Sequence, residues 1–190
     1  AAPFIANLSG SEFWAITENN IEALFANRPQ PVDVTAPYQL TEMQEIPDQN
    51  KSTYTVDDIV MLADQYRLSE GDRIDGNIFV LFLDGFFFQD TVRSDVLGVA
   101  LNNTSITAIF KPVINASSPF VNRKGLVEQA TVVHELGHAL GLVNNGVPIT
   151  SNHHDEENGA HCTNTDCVMY YRNESANSLL GYINQFGTTG

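Results

Sequence analysis

The chain predicts an α+β domain, and three observations carry that prediction. Apolar residues recur at helical spacing in several stretches. Residues 77–83 contain the continuous run IFVLFL, bounded by Gly76 and by Asp84-Gly85. Two short apolar segments, residues 97–101 and 105–110, flank the polar triplet Asn102-Asn103-Thr104, which fits a hairpin turn. At 190 residues the chain is long enough for one domain with a substantial core and short for two, so a single domain over 1–190 is expected.

Taken in order, residues 1–10 read as a loosely structured lead. A helix follows from Ser11, with Trp14, Ile21, Leu24 and Phe25 at helical spacing, and Asn27-Arg28-Pro29 ends it. Residues 31–46 suggest one or two strands interrupted by Pro37. Thr55, with Asp58 three residues on, reads as an N-cap that opens a helix through Tyr66, burying Val56, Ile59, Val60 and Ala63. The IFVLFL run has the character of a strand buried on both faces. Phe86, Phe87 and Phe88 extend it as a bulge or a packed loop. Residues 111–124 read as a loop, and Gly125 precedes a long helix with Leu126, Ala130, Val133 and Leu140 on its apolar sides. A last helix is expected over 175–186, packing through Leu179, Leu180, Ile183 and Phe186.

Composition narrows the partners. The net charge is -14, from 23 acidic and 9 basic residues, which makes nucleic acid and anionic membranes poor partners. No apolar run approaches the roughly 18–20 residues of a membrane span. The opening AAPFIANLSG has no basic n-region, so no signal peptide is expected there, and the start reads as a trimmed end. A monomer is expected. Cys162 and Cys167 lie in a short polar loop; a local disulfide would stiffen it and imply an oxidising compartment, the alternative being a free thiol pair. With the disulfide, a secreted or periplasmic location is expected.

The chemistry is concentrated in residues 134–169. On a helix, His134 and His138 of HELGHALGLV project from one face and can grip one metal ion. Glu135 stands beside them, where a carboxylate can deprotonate a metal-activated water. Gly141, three residues after His138, can take positive φ and turn the chain back toward the metal.

Through Gly141 the sequence resembles the metzincin clan of zinc peptidases, whose long motif is HExxHxxGxxH; Asn144 stands at the last position. Downstream, His161-Cys162-(TNTD)-Cys167-Val168-Met169 is similar to the HCx4CxM of archaemetzincins, and His161 precedes Met169 by the eight residues that separate third ligand and Met-turn methionine there. Residues 144–160 then form an insertion before the third ligand. The resemblance covers about a fifth of the chain. It implies a zincin-type fold with a mixed twisted sheet, backing helices, an active-site helix, a Met-turn and a C-terminal helix. An upper part of about 1–141 and a lower part of about 142–190 would flank the cleft. It implies Zn2+ on His134, His138 and His161, a hydrophobic floor at Met169, and the 97–110 hairpin as the upper rim that pairs with an extended peptide. Tyr171, two residues after the methionine, matches a tyrosine that supports the tetrahedral intermediate in astacins and serralysins. No cysteine follows Cys167, so the second structural zinc of archaemetzincins is not expected.

The resulting expectation is a zinc-dependent endopeptidase acting on peptide or protein substrates, with Glu135 as general base. Three alternatives stay open. His153 or His154 can serve as third ligand from the inserted loop; Glu156 or Glu157 can complete a gluzincin-like site; or the chain is a non-catalytic metal-binding module on a peptidase fold. Asp155, Glu156, Glu157 and Asn158 are rich in oxygen ligands, but their spacing matches no calcium loop, and a solvated loop is the preferred reading.

Overall fold

The computed structural model describes residues 1–30, 32–67, 76–175 and Leu179. Among these the chain forms four α-helices and eight short strands: α1 (Trp14–Phe25), β1 (Thr53–Tyr54), α2 (Val56–Tyr66), β2 (Phe79–Leu83), β3 (Phe86–Gln89), β4 (Thr91–Arg93), β5 (Gly98–Ala100), β6 (Ile106–Phe110), α3 (Lys111–Ser117), α4 (Val121–Ala139), β7 (His154–Asp155) and β8 (His161–Cys162). The class is α+β, as expected. None of the described helices is long and apolar enough to cross a membrane. The expected final helix lies, beyond Ser175, outside the described residues except for Leu179, which is fully buried.

Local chemistry explains most of the helix boundaries. Thr55 caps α2 reciprocally: its hydroxyl accepts from the Asp58 N–H, and the Asp58 carboxylate accepts from the Thr55 N–H. The buried face of α2 is Ile59, Leu62 and Ala63, rotated from the expected stripe, so that Val56 is exposed. In α1, Trp14 and Thr17 are buried while Leu24 is exposed, because only its first turns pack closely. Residues 32–46 form no strand. Pro37 lacks a ladder donor, and the N–H groups of Tyr38 and Gln39 go to the Glu42 carboxylate, closing a 3-10 turn at Leu40–Glu42.

The central sheet has the order β2-β6-β5, with β2 parallel and β5 antiparallel to β6. All five residues of β6 are buried, whereas β2 lies at one side and is only partly covered. The two-faced burial expected of IFVLFL therefore belongs to β6, the middle strand. Phe86, Phe87 and Phe88 do not prolong β2. They enter β3, which joins a second sheet of order β1-β3-β4. The β5–β6 hairpin forms where it was expected, closed by the Leu101 N–H on Ile106 O at 3.0 Å.

Residues 111–124, expected as a loop, are helical except for 118–120. Pro112 sits in the first turn of α3, where a missing N–H costs nothing. The α4 helix begins at Val121 and runs through Gly125 instead of starting after it. Its buried face rests against α1, α3, β5 and β6, which carries the residues from 134 onward beneath the central sheet. The lead segment is also tied down, contrary to expectation. Lys111 and Glu128 form a fully buried ion pair, the Phe4 N–H donates to Glu128 Oε1 at 2.6 Å, and the Lys111 ammonium lies 4.0 Å from the Phe4 ring centre. Burial pushes Lys111 down and Glu128 up, and the partner's charge opposes each shift.

Breaking that pair on one side strands a charge in the core. Lys111→Met is expected to cost about 3–5 kcal/mol of stability. Lys111→Met combined with Glu128→Gln, which keeps an acceptor for the Phe4 N–H, should recover most of it. Urea denaturation of the three proteins checks this; a single variant as stable as wild type would contradict it.

Candidate metal centre

The last two turns of α4 carry His134, Glu135 and His138, and the helix stops directly after them. Gly141 has φ +82°, its N–H donates to His138 O, and the Leu142 N–H donates to Gly137 O, both at 3.0 Å. That is the left-handed helix end expected of Gly141. The chain then returns as a two-stranded ribbon, in which β7 pairs antiparallel with β8 and the Cys162 N–H donates to Met169 O at 2.8 Å. Of residues 144–160, expected as an insertion, His154–Asp155 form the first strand of this ribbon, and the second strand brings His161 to the helix.

Three imidazoles converge there. His134 Nε2 and His138 Nε2 are 3.1 Å apart, and the His161 ring centre is 5.3 Å from that of His134 and 4.9 Å from that of His138. His134 Nδ1 lies 2.7 Å from Val168 O, and His161 Nδ1 lies 2.6 Å from Asn158 O. A carbonyl only accepts, so both Nδ1 atoms carry the proton and both Nε2 atoms present a lone pair inward. His161 Nε2 is buried and has no aligned hydrogen-bond partner, although Glu174 Oε1 stands 3.0 Å away. The ligand atoms of His134, His138, His161 and Glu174 all lie within 4.8 Å of one another. Bare, buried nitrogen atoms beside a carboxylate are costly unless a cation joins them, so this donor set fits a metal ion. Imidazole-rich sets suit zinc, and also copper, iron and nickel.

Electrostatics prepare the rings as ligands. Burial pushes His134 down and His138 down to about 3, with the neighbouring imidazoles adding to the His138 shift. His161 behaves otherwise: burial would lower it, but the Glu174 carboxylate and Asn158 carbonyl outweigh burial and hold it above the ordinary range. Glu174 is itself lowered, because the imidazoles outweigh the upward push of burial. Glu135 is buried beside the cluster. Burial pushes it up to about 8, the Glu174 charge adds to that, and the Ala100 N–H pulls the other way.

Met169 is buried under α4, as a floor requires, and packs with Val143 and Cys162. A Cβ on Gly137 would overlap its sulfur, so the glycine inside HELGH leaves the space that the Met169 side chain fills. Beside His138 a cavity of about 360 Å³ opens toward the hairpin turn, lined by Asn102, Asn103, Thr104 and Asn145 among others. The Tyr171 hydroxyl accepts from Arg172 Nε at 3.1 Å, and Tyr171 begins the 3-10 turn that ends at Glu174.

Several expectations change. The disulfide is not formed: Cys162 and Cys167 are free thiols. Cys162 is packed against Val143 and Met169, and its sulfur lies 3.4 Å from His153 Nδ1 and from the Asn164 N–H. His154 bonds Gly159 O, and His153 faces Cys162, so neither joins the cluster. Glu156 and Glu157 are exposed turn residues outside it. The Asn158 amide bonds the Asp155 carboxylate, in keeping with a solvated loop. Glu174 went unnoticed in the sequence because RNES after the two tyrosines has no ligand spacing; only the fold brings it in. Comparison of the chain with known protein families, curated proteins and solved structures gives no match.

Two outcomes are expected. A neutral imidazole binds metal and an imidazolium does not, so protons compete chiefly at His161, which the Glu174 carboxylate and Asn158 carbonyl hold above the ordinary imidazole range against burial. Zinc affinity should therefore weaken about tenfold per pH unit on the acid side of that titration; competition with a chromogenic chelator at about pH 8 and about pH 5.5 measures it. Flat affinity would remove His161 from the ligand set. Gly137→Ala should cost about 1–3 kcal/mol by overpacking and weaken zinc binding as Met169 is pushed away, read by thermal unfolding with and without zinc.

Proposed function

We propose that this chain is a zinc-dependent metallopeptidase of the metzincin type, acting as an endopeptidase. The observation that carries the reading is the convergence of His134, His138 and His161, two of them oriented by backbone carbonyls, with a buried carboxylate at Glu135 beside them. HELGH with Gly141 and the His161-to-Met169 spacing support the same clan.

A zinc ion held there would act as a Lewis acid toward a carbonyl and acidify a water. Glu135 would take the water's proton and deliver it to the leaving amine. Burial holds its carboxyl high in the metal-free protein, and a nearby divalent cation favours the ionised form that a base needs. The outer edge of β5 would pair with the extended backbone of a peptide. Tyr171 would have to leave Arg172 to support an oxyanion.

Glu135→Gln should retain one zinc per chain and lose about 10²–10⁴-fold in turnover. His161→Ala should lose tight zinc binding. Elemental analysis and cleavage of a mixed peptide library by the zinc-loaded proteins test both; wild-type cleavage by Glu135→Gln would end the base assignment.

A second reading is favoured by one observation. Glu174 completes a four-ligand set with no vacancy, and such sets are structural. A chain that binds zinc tightly and never cleaves would belong to that class.

A further inference from the structure

This inference rests on the metallopeptidase reading and concerns how such a site is controlled. Three imidazoles and one carboxylate fill a tetrahedron, whereas a hydrolytic centre keeps one position open. Glu174 is the most exposed of the four: its side chain keeps 52% of its surface, against 8% for His161. The 3-10 turn Tyr171–Glu174 is anchored through buried Asn173, whose Nδ2 donates to Cys167 O at 3.1 Å and Val168 O at 2.9 Å. The Glu174 carboxylate itself reaches out from that anchor toward His161.

The residue after it occupies the sheet edge. Ser175 makes an isolated antiparallel bridge with Val96, two residues before β5. Leu97 O accepts from the Phe110 N–H, and the Leu101 N–H donates to Ile106 O, so these odd-numbered residues face β6. Alternate residues in a strand turn their backbone groups to opposite sides. Val96, Gly98 and Ala100 therefore face away from β6, and on that side the Ala100 N–H bonds the Glu135 carboxylate. The edge that Ser175 borders is the edge that overlooks Glu135. An extended peptide would need that edge for its backbone and the position of the Glu174 carboxylate for its scissile carbonyl.

We propose that residues 171–175 are a built-in latch: Glu174 takes the remaining ligand position and Ser175 takes one end of the β5 edge, so the resting site is closed and a peptide enters by displacing both. Asn173 stays clamped, and the displacement is confined to Glu174 and Ser175. Peptides that pair well with the β5 edge open the site, and single amino acids or dipeptides, which cannot span it, do not.

The test uses zinc-loaded wild type, Glu174→Gln and Glu174→Ala, with acetohydroxamate as a small bidentate zinc ligand whose affinity is measured by calorimetry. The latch predicts at least about tenfold tighter acetohydroxamate binding in both variants, because no internal carboxylate competes. It also predicts an altered visible spectrum in the cobalt-loaded variants and faster peptide cleavage. Equal affinity and identical spectra in all three proteins would show that Glu174 does not occupy the metal. Loss of metal from both variants would make Glu174 a permanent ligand, which overturns the latch equally. Neither binding readout needs turnover, so a protein that passes them and cleaves nothing fails as a peptidase and keeps the internal carboxylate ligand.

Discussion

The Val168 carbonyl takes two donors, His134 Nδ1 at 2.7 Å and Asn173 Nδ2 at 2.9 Å. A carbonyl oxygen has two lone pairs, and here both are used to join three pieces of chain. One bond sets the tautomer and plane of a ring on α4. The other pins the 3-10 turn that carries Glu174. Between them lies the turn through Met169, whose sulfur packs into the space left by the missing side chain of Gly137. Without that carbonyl the His134 ring would lack its orienting acceptor, and the turn that carries Glu174 would lose one of the two carbonyls that hold Asn173.

Desolvation then does different work at neighbouring groups. It favours the neutral form of each, so His134 and His138 remain unprotonated and ready to donate lone pairs, while Glu135 resists ionising. His161 escapes because Glu174 is beside it. In the metal-free site His161 Nε2 and the Glu174 carboxylate stand 3.0 Å apart, next to two rings that burial keeps neutral. A divalent cation would satisfy the buried nitrogen atoms and the carboxylate together.

The hydrophobic core makes this arrangement rigid on one side and adjustable on the other. The α4 helix is packed against α1, α3 and the β5–β6 hairpin, and most of its residues from Gly125 to Gly137 are buried. The buried Lys111–Glu128 pair ties the opening residues to the same helix. The face that delivers His161 and Glu174 is made of a two-stranded ribbon and a single turn, with a small apolar cluster of Val143, Cys162 and Met169 beneath. Fewer buried contacts hold such elements, and motion is drawn from regions of that kind.

Much of the helix side of the site was legible because helical period is a local property. His134 and His138 share a face at any i, i+4 spacing, Gly141 ends the helix through its own φ, and Thr55 caps α2 through its own side chain. His161 was reachable by its distance from Met169. Other features depended on which segments met. Whether IFVLFL or β6 lay in the middle of the sheet depended on strand order, and the 111–124 stretch became helical against neighbours that its composition does not reveal. Cys162 packs against Met169 and beside His153, and the two thiols stand unbonded. The sequence alone determined the ligand pair, the base candidate and the helix end, since these follow from spacing within a few residues. Only the tertiary structure decided that Glu174 joins the three histidines in one cluster and that Ser175 meets Val96, because those contacts join segments whose approach is set by burial and backbone pairing across the fold.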